Sequence, residues 1–473
     1  MTTRFIDRDK ELSRLREQFD SKKAEFLVVY GRRRVGKTEL LKQFFKGKRH
    51  IYFLADMQKE ERLLEVFSSV AREGSGKGYL EFKSWDGVFE YLRDLAEERI
   101  VVVFDEVGYI NKANPAFYSI LQRHWDEHLR HTKLFLVLCG SSVSMMEKEV
   151  LGYGSPLYGR RTGQIELTPL PYRDARQFFQ KAGEEERIEF YSVLGGVPAY
   201  LNQFDARKDI YWNIKNNVLS PERFLYKEPK FILLEELRDP TTYFSILSAM
   251  SQGARRFNKI SQKSYVEPTK LTMYLHVLMN LRLIERITQV TETKGTRRNS
   301  LYRIKDNFFA FWFRYVNPNT SLIEEGNLEP IMEQLKEDIP RHVSPVFEDV
   351  CRETIIELQR TGVYGTPFTK IGSWWEKEEE IDVVALNDNT KEILFGECKW
   401  TEKKVDKSVI DALKRKAEIV KWKKKRRKEH YVVFSKSGFT PSCRRYAEEI
   451  DVDLIDIEDI KRVFEGRDAL PHL

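Results

Sequence analysis

The chain has 473 residues, enough for about three domains of ordinary size. Its formal net charge of +7, with 32% charged and 41% hydrophobic residues, permits nucleic-acid binding without demanding it. No apolar run reaches the roughly 18 residues of a membrane-spanning helix. MTTRFIDRDKEL is no signal peptide, so a cytoplasmic protein without membrane contact is expected. Cys139, Cys351, Cys398 and Cys443 form no CxxC pair, which excludes a disulfide framework and a cysteine zinc site. The abundance of Lys, Arg and Glu is of the kind found in thermophile proteins.

In chain order, the first strong element is FLVVYGRRRVGKT, residues 26–38. Phe26 to Tyr30 reads as a buried parallel strand. It enters Gly31-Arg32-Arg33-Arg34-Val35-Gly36-Lys37-Thr38, and TELLKQFF, starting with Thr38 and Glu39, continues as a helix. This is the full phosphate-binding pattern in its strand–loop–helix context. The glycines let backbone N–H groups point at phosphate oxygens, Lys37 reaches the β- and γ-phosphates, and Thr38 bears on Mg²⁺. ATP and Mg²⁺ are the ligands this predicts. IVVVFDEV, residues 100–107, reads as a second strand that ends in two carboxylates. Asp105 is expected to hold Mg²⁺ and Glu106 to polarise the attacking water, so hydrolysis is expected as well as binding. A helix is predicted over 115–131. It places His124, His128 and His131 on one face, but HWDEHLRH lacks the HExxH order, and an ordinary amphipathic helix is the reading preferred. KLFLVLCGSS, residues 133–142, is a further buried strand, with Ser141 or Ser142 placed to sense the γ-phosphate.

The segments FIDRDKELSRL, GRRRVGKT, VVFDEV, LCGSS, PLYGRRTG and LGGVPAYL follow one another in the order that resembles the archaeal ATPase family, AAA+-like proteins related to the signalling STAND ATPases. The resemblance implies that the N-terminal motif lies near the adenine. It makes Arg160 or Arg161 a γ-phosphate sensor or finger, and sets the GGVP segment with Pro198 in a helical lid over the nucleotide. A homo-oligomer is compatible with it.

Helices are predicted over 172–182, 187–204 and 221–237. After Asp239-Pro240 come a helix ended by Gly253, a short helix FNKISQKS, a third helix opened by Glu267-Pro268, and two strands, IERITQV and SLYRI, around the basic tip TETKGTRRN. That order is a winged helix. Thr269, Lys270 and Thr272 sit where DNA readers place groove contacts. Lys294, Arg297 and Arg298 on the tip suit phosphates. The aromatic segment 308–321 reads as a packing helix, and Asn317-Pro318-Asn319 as a boundary.

The last segment begins with an amphipathic helix, 346–359, followed by two predicted strands, IGSWWEKEEEIDVVAL and EILFGECKW, joined by NDNTKE. They carry Asp382-x14-Glu397-Cys398-Lys399, with Glu397 and Lys399 on one strand face. The two acids and the Cys398 carbonyl are expected to hold Mg²⁺, Lys399 to steady the anion, and Glu348 to add a third carboxylate. This part resembles the PD-(D/E)xK nuclease fold, with Ile381 in place of the usual proline. The run WKKKRRK, residues 422–428, suits a DNA backbone or a solvated face equally.

The expected architecture is therefore multidomain α/β. It comprises a P-loop ATPase core with a parallel sheet (1–170), a helical lid (171–238), a winged helix (239–318) and a restriction-endonuclease-like α/β domain (319–473). The expected function is an ATP-dependent switch coupled to a metal-dependent nuclease acting on DNA. The alternative is a STAND-like signalling or scaffold ATPase whose C-terminal domain only binds a partner or nucleic acid.

Overall fold

The structure, a computed structural model, describes residues 6–75, 79–292, 300–365 and 367–466. It divides into two compact units, Met1–Pro169 and Leu170–Leu473. Among the described residues no helix is long and apolar enough to cross a membrane.

The first unit is built on five strands: β1 Glu25–Tyr30, β2 His50–Leu54, β3 Ile100–Asp105, β4 Leu134–Gly140 and β5 Gly163–Glu166. They form one sheet in the order β2-β3-β4-β1-β5, and every pairing is parallel. β1, β3 and β4 are buried along their whole length, which explains their continuous apolar runs. Alternate residues feed two cores. Phe26, Val28, Val102, Phe104, Leu136 and Leu138 pack on one face. Leu27, Val29, Val101, Val103, Phe135 and Val137 pack on the other. β4 lies between β1 and β3, so the carboxyl ends of these three strands are neighbours, the position where open α/β sheets bind ligands.

The predicted helix over 115–131 ends earlier. It runs Phe117–Glu127, His128 caps it, and a separate 3₁₀ turn, Leu129–His131, follows. The three histidines therefore do not share a helix face. His124 is buried on Asp86, with Nε2 2.9 Å from Oδ1, and His131 accepts from Arg130 Nε at 3.1 Å.

The second unit opens with helices, among them Glu184–Leu194, Pro198–Leu201 and Glu228–Glu236. The helix expected from residue 221 begins only at Glu228. Helices Thr241–Ser251, Phe257–Ser264 and Pro268–Asn280 then lead to an antiparallel pair, β6 Ile284–Ile287 with β7 Leu301–Ile304. The aromatic segment is buried: Phe308, Phe309, Phe311, Trp312, Phe313 and Tyr315 all lie in the core. Instead of starting at residue 346, the helix expected there spans Glu329–Arg360, with Pro340 and Pro345 inside it.

A second five-stranded sheet follows: β8 Lys370–Glu376, β9 Glu379–Asn387, β10 Glu392–Lys399, β11 Lys428–Ser435 and β12 Asp453–Asp456. Its order is β12-β11-β10-β9-β8, antiparallel from β8 to β10 and parallel from β10 to β12. The predicted strand over IGSWWEKEEEIDVVAL is thus two strands. Lys377, with φ +55°, makes the tight turn between them. One face of this sheet joins an apolar core that runs from Leu170 to Ile460. The helices Lys407–Ile419 and Pro441–Glu449 cover the other.

Candidate nucleotide site and a second acidic cluster

The nucleotide site grows from the end of β1. Gly31 takes φ +148°, and a Cβ there would stand 2.2 Å from the Leu167 carbonyl oxygen, so no larger residue fits. Gly36, at φ +97°, caps the helix Lys37–Phe45, whose N-terminal N–H groups and dipole favour an anion. Arg34 also lies at positive φ, +69°. Glu39 points outward from the first helical turn, while Arg32 and Val35 are buried. Arg33 donates to the Tyr109 hydroxyl at 3.2 Å.

Lys37 is buried and folds back on the loop, donating to the carbonyls of Gly31 at 2.7 Å and Arg32 at 3.1 Å. Burial draws its pKa below the ordinary lysine value, against the pull of Cys139, Glu106 and Asp105. Thr38 Oγ1 donates to Asp105 Oδ2 at 3.0 Å. The Tyr52 hydroxyl, from β2, donates to the same oxygen at 2.6 Å, and the Glu106 N–H reaches Oδ1 at 2.9 Å. Burial and this bond to Asp105 raise the Tyr52 pKa. Glu106 sits at φ +54°, a strained conformation for a non-glycine residue. Its Oε2 accepts from Ser141 Oγ at 2.7 Å and Ser141 N–H at 3.3 Å. Three neighbouring strand ends thus deliver Lys37–Thr38, Asp105–Glu106 and Ser141 to one place. The oxygens of Thr38 and Asp105 are hard donors already in contact, a pair that fits Mg²⁺.

Sequence reasoning missed two supports of this site. Tyr52 is one. The other is buried Arg8, which donates to the carbonyls of Val35 at 3.3 Å and Thr168 at 2.6 Å and pairs with Glu11 at 3.1 Å. It ties the FIDRDKEL segment to the phosphate loop. The signal for Tyr52 was its place on a strand beside β3. Arg8 carried none beyond its motif. Arg160 grips Asp126 with Nε and Nη2, at 2.9 and 2.7 Å, and its Nη1 bonds the Pro156 carbonyl. Its guanidinium is therefore engaged by Asp126 and by backbone carbonyls. Arg161 is half-buried. Pro198 opens a short helix in the second unit.

The second acidic cluster lies on β9, β10 and the helix Glu329–Arg360. Asp382 Oδ2 accepts the Cys398 N–H at 2.9 Å. Buried Glu397 accepts from Lys399 at 2.7 Å, and Lys416, on helix Lys407–Ile419, bridges both its oxygens at 3.0 and 3.1 Å. Glu348 accepts from Arg352 at 3.1 Å, and Arg352 also bonds the Asp382 carbonyl at 2.7 Å. Burial first, then the Asp382 charge, push the Glu348 pKa upward. Burial first, then Glu397, do the same for Asp382. Burial pulls the Lys399 ammonium down, but Glu397 outweighs it and its pKa ends raised. Lys416 was not anticipated, because a contact between a helix and a strand 19 residues away leaves no local pattern. Among the described residues no three His, Cys, Asp or Glu side chains converge as a metal-binding group. Where three carboxylates are expected around a cation, Glu397 pairs with Lys399 and Lys416, and Asp382 accepts the Cys398 N–H.

Of the predicted DNA contacts, Thr269 and Lys270 are exposed at the start of helix Pro268–Asn280, with Lys270 3.5 Å from Glu267. Lys294, Arg297 and Arg298 lie outside the described residues. Much of the run 422–428 is committed locally: Arg427 bonds the carbonyls of Val420, Trp422 and Ala417, and Lys423 that of Asp388.

A profile described as an ATPase domain predominantly from Archaea matches residues 5–204. Another, for archaeal and bacterial proteins of unknown function, matches residues 312–410. An uncharacterized protein of Methanocaldococcus jannaschii is 39% identical over 419 residues, 88% of this chain and 92% of that protein. An ATP-binding protein of Pyrococcus horikoshii is 25% identical over 241 residues, 42% of this chain and 73% of its own. The Walker-type ATPase of Pyrococcus abyssi has the same fold, with TM-score 0.50 at 24% identity over 66% of this chain and 96% of that one.

Proposed function

The chain belongs to the archaeal ATPase family, and from that premise we propose that it hydrolyses ATP at residues 31–38 and uses the nucleotide state to control action on DNA. The observation that carries the reading is the bonded set Thr38–Asp105 and Glu106–Ser141 at adjoining strand ends. Lys37 leaves its carbonyl partners for the β- and γ-phosphates. Glu106, held by Ser141, orients a water and takes its proton as the water oxygen bonds to the γ-phosphorus and the bond to the ADP oxygen breaks. Thr38 and Asp105 would hold Mg²⁺, which when bound would offset phosphate charge. Arg160 or Arg161 reaches the γ-phosphate after release from its present contacts, and Pro198 belongs to a lid.

The helices 241–280 with β6 and β7 act as a winged helix that touches DNA through Thr269, Lys270, Lys294, Arg297 and Arg298. The sheet β8–β12 is read as nuclease-like, and cleavage would depend on Asp382, Glu397 and Lys399, with Glu348 and Cys398 beside them. A specific observation favours the alternative for this part. Both oxygens of Glu397 are occupied by ammonium groups, as suits a scaffold that binds without cutting. One assay separates the two: plasmid and linear DNA with Mg²⁺ or Mn²⁺, with and without ATP, for wild type and Lys399→Ala. Metal-dependent cutting lost in Lys399→Ala supports the nuclease. DNA binding without cutting leaves the scaffold.

A further inference from the structure

Within the second unit, a cleft of ≈1370 Å³ lies between helix Pro268–Asn280 and the edge strand β8. The segment after β6 is pinned to β8 by the Val290 N–H donating to the Ser373 carbonyl at 3.1 Å and by Gln289 Nε2 donating to the Trp375 carbonyl at 2.7 Å. Five cations line the cleft, Arg256, Lys259, Arg286, Lys377 and Lys421, against two acids, Glu292 and Glu376. Glu376 already faces Lys421 at 3.8 Å. Arg256, Lys259, Arg286 and Lys377 are exposed and have no ion pair among the described residues. The partly exposed rings of Phe257, Tyr302 and Trp422 line the same cleft, Trp422 with Lys423 Nζ 5.0 Å from its ring centroid.

Cations that follow a groove, interleaved with rings, are what a single strand of nucleic acid requires. The phosphates take the charges and the bases stack on the rings. A duplex would need the outer face of the helix free to enter a major groove roughly 12 Å wide. Here Thr272 and His276, on that exposed face, are lining residues of the cleft itself. We infer that this cleft binds a single strand of nucleic acid, by backbone charge and base stacking rather than by base-edge readout. The inference rests on the DNA-directed reading above and names the form of nucleic acid it takes.

The test is fluorescence anisotropy of the full chain with labelled oligo(dT), oligo(U) and a duplex of equal length, across a salt series. The variants are Lys259→Gln/Arg286→Gln/Lys377→Gln and, as a control at positions that do not line the cleft, Lys181→Gln/Lys208→Gln/Lys215→Gln. All six positions are exposed, so folding is spared. The cleft variant should lose roughly tenfold or more in single-strand affinity, and its salt slope should flatten by about 2 for three lost phosphate contacts. The control should bind like wild type. Preference for oligo(dT) or oligo(U) tells DNA from RNA, and either supports the cleft. Tighter binding of duplex than of single strands, or equal single-strand binding by the cleft variant, overturns the cleft but leaves the DNA reading standing. No binding of any nucleic acid by wild type overturns both.

Discussion

Two acid pairs in this chain, Asp105–Glu106 and Asp382–Glu397, both lie on or just beyond buried strands, yet Glu397 is held by opposite means from Asp105 and Glu106. Asp105 and Glu106 accept from neutral donors, the hydroxyls of Thr38, Tyr52 and Ser141 and backbone N–H groups. Such donors satisfy the oxygens and leave the full negative charge to a cation and a water. Glu397 accepts from two ammonium groups, which cancel its charge. The difference teaches that a D/E/K spacing in sequence does not say whether the lysine assists a cation or replaces it.

The largest expected effect on nucleotide affinity falls on the first pair's neighbour. Lys37→Ala should weaken nucleotide binding by tens of fold, since a charge-assisted contact is worth roughly 1.5–3 kcal/mol. Titration with a fluorescent ATP analogue measures it, and unchanged affinity would break the comparison at its stronger end. Next is Lys416→Met, which leaves buried Glu397 with Lys399 alone. It should lower unfolding free energy by about 1–3 kcal/mol in a denaturant melt. An unchanged midpoint would mean that the lysine bridge contributes nothing.

Tyr52→Phe should cost less, about 0.5–1.5 kcal/mol, because Asp105 Oδ2 keeps its bond from Thr38. Equal stability of Tyr52→Phe and wild type would show that Asp105 does not need its second hydroxyl. A further test is a pH profile away from both pairs. Burial first, then the Glu185 charge, raise the Glu189 pKa from 4.5 to about 7. A raised carboxyl contributes stability at low pH that is lost as pH rises from its unfolded value through about 7. Glu189→Gln should therefore match wild type near pH 4 and melt at a higher temperature above pH 7. A gain of the same size at both pH values would contradict that burial.

The nucleotide half was legible because its signals are local. A strand buried on both faces is a continuous apolar run, and the loop must carry glycine at Gly31, where a Cβ would strike Leu167. What escaped was contact across the chain. Arg8 meets Thr168, and Tyr52 meets Asp105, through folding that no window of sequence records. Two elements misled by composition. EKEEE has neither glycine nor proline, yet Lys377 turns there at φ +55° and splits one predicted strand into β8 and β9. Pro340 and Pro345 argue against a helix, yet Glu329–Arg360 runs through them because Ile339, Val343, Val346, Phe347 and Val350 are buried along it. The second acid pair was legible as residues but not as an arrangement, since Lys416 comes from another element.

The central claim, that the neutral-held pair performs hydrolysis, is tested most directly by ATP turnover of Glu106→Gln beside its nucleotide affinity. Glutamine keeps the size and can still accept from Ser141, but it takes no proton from water. Glu106→Gln should keep wild-type nucleotide affinity with turnover reduced about 10²- to 10⁴-fold. Equal hydrolysis by wild type and Glu106→Gln would contradict it.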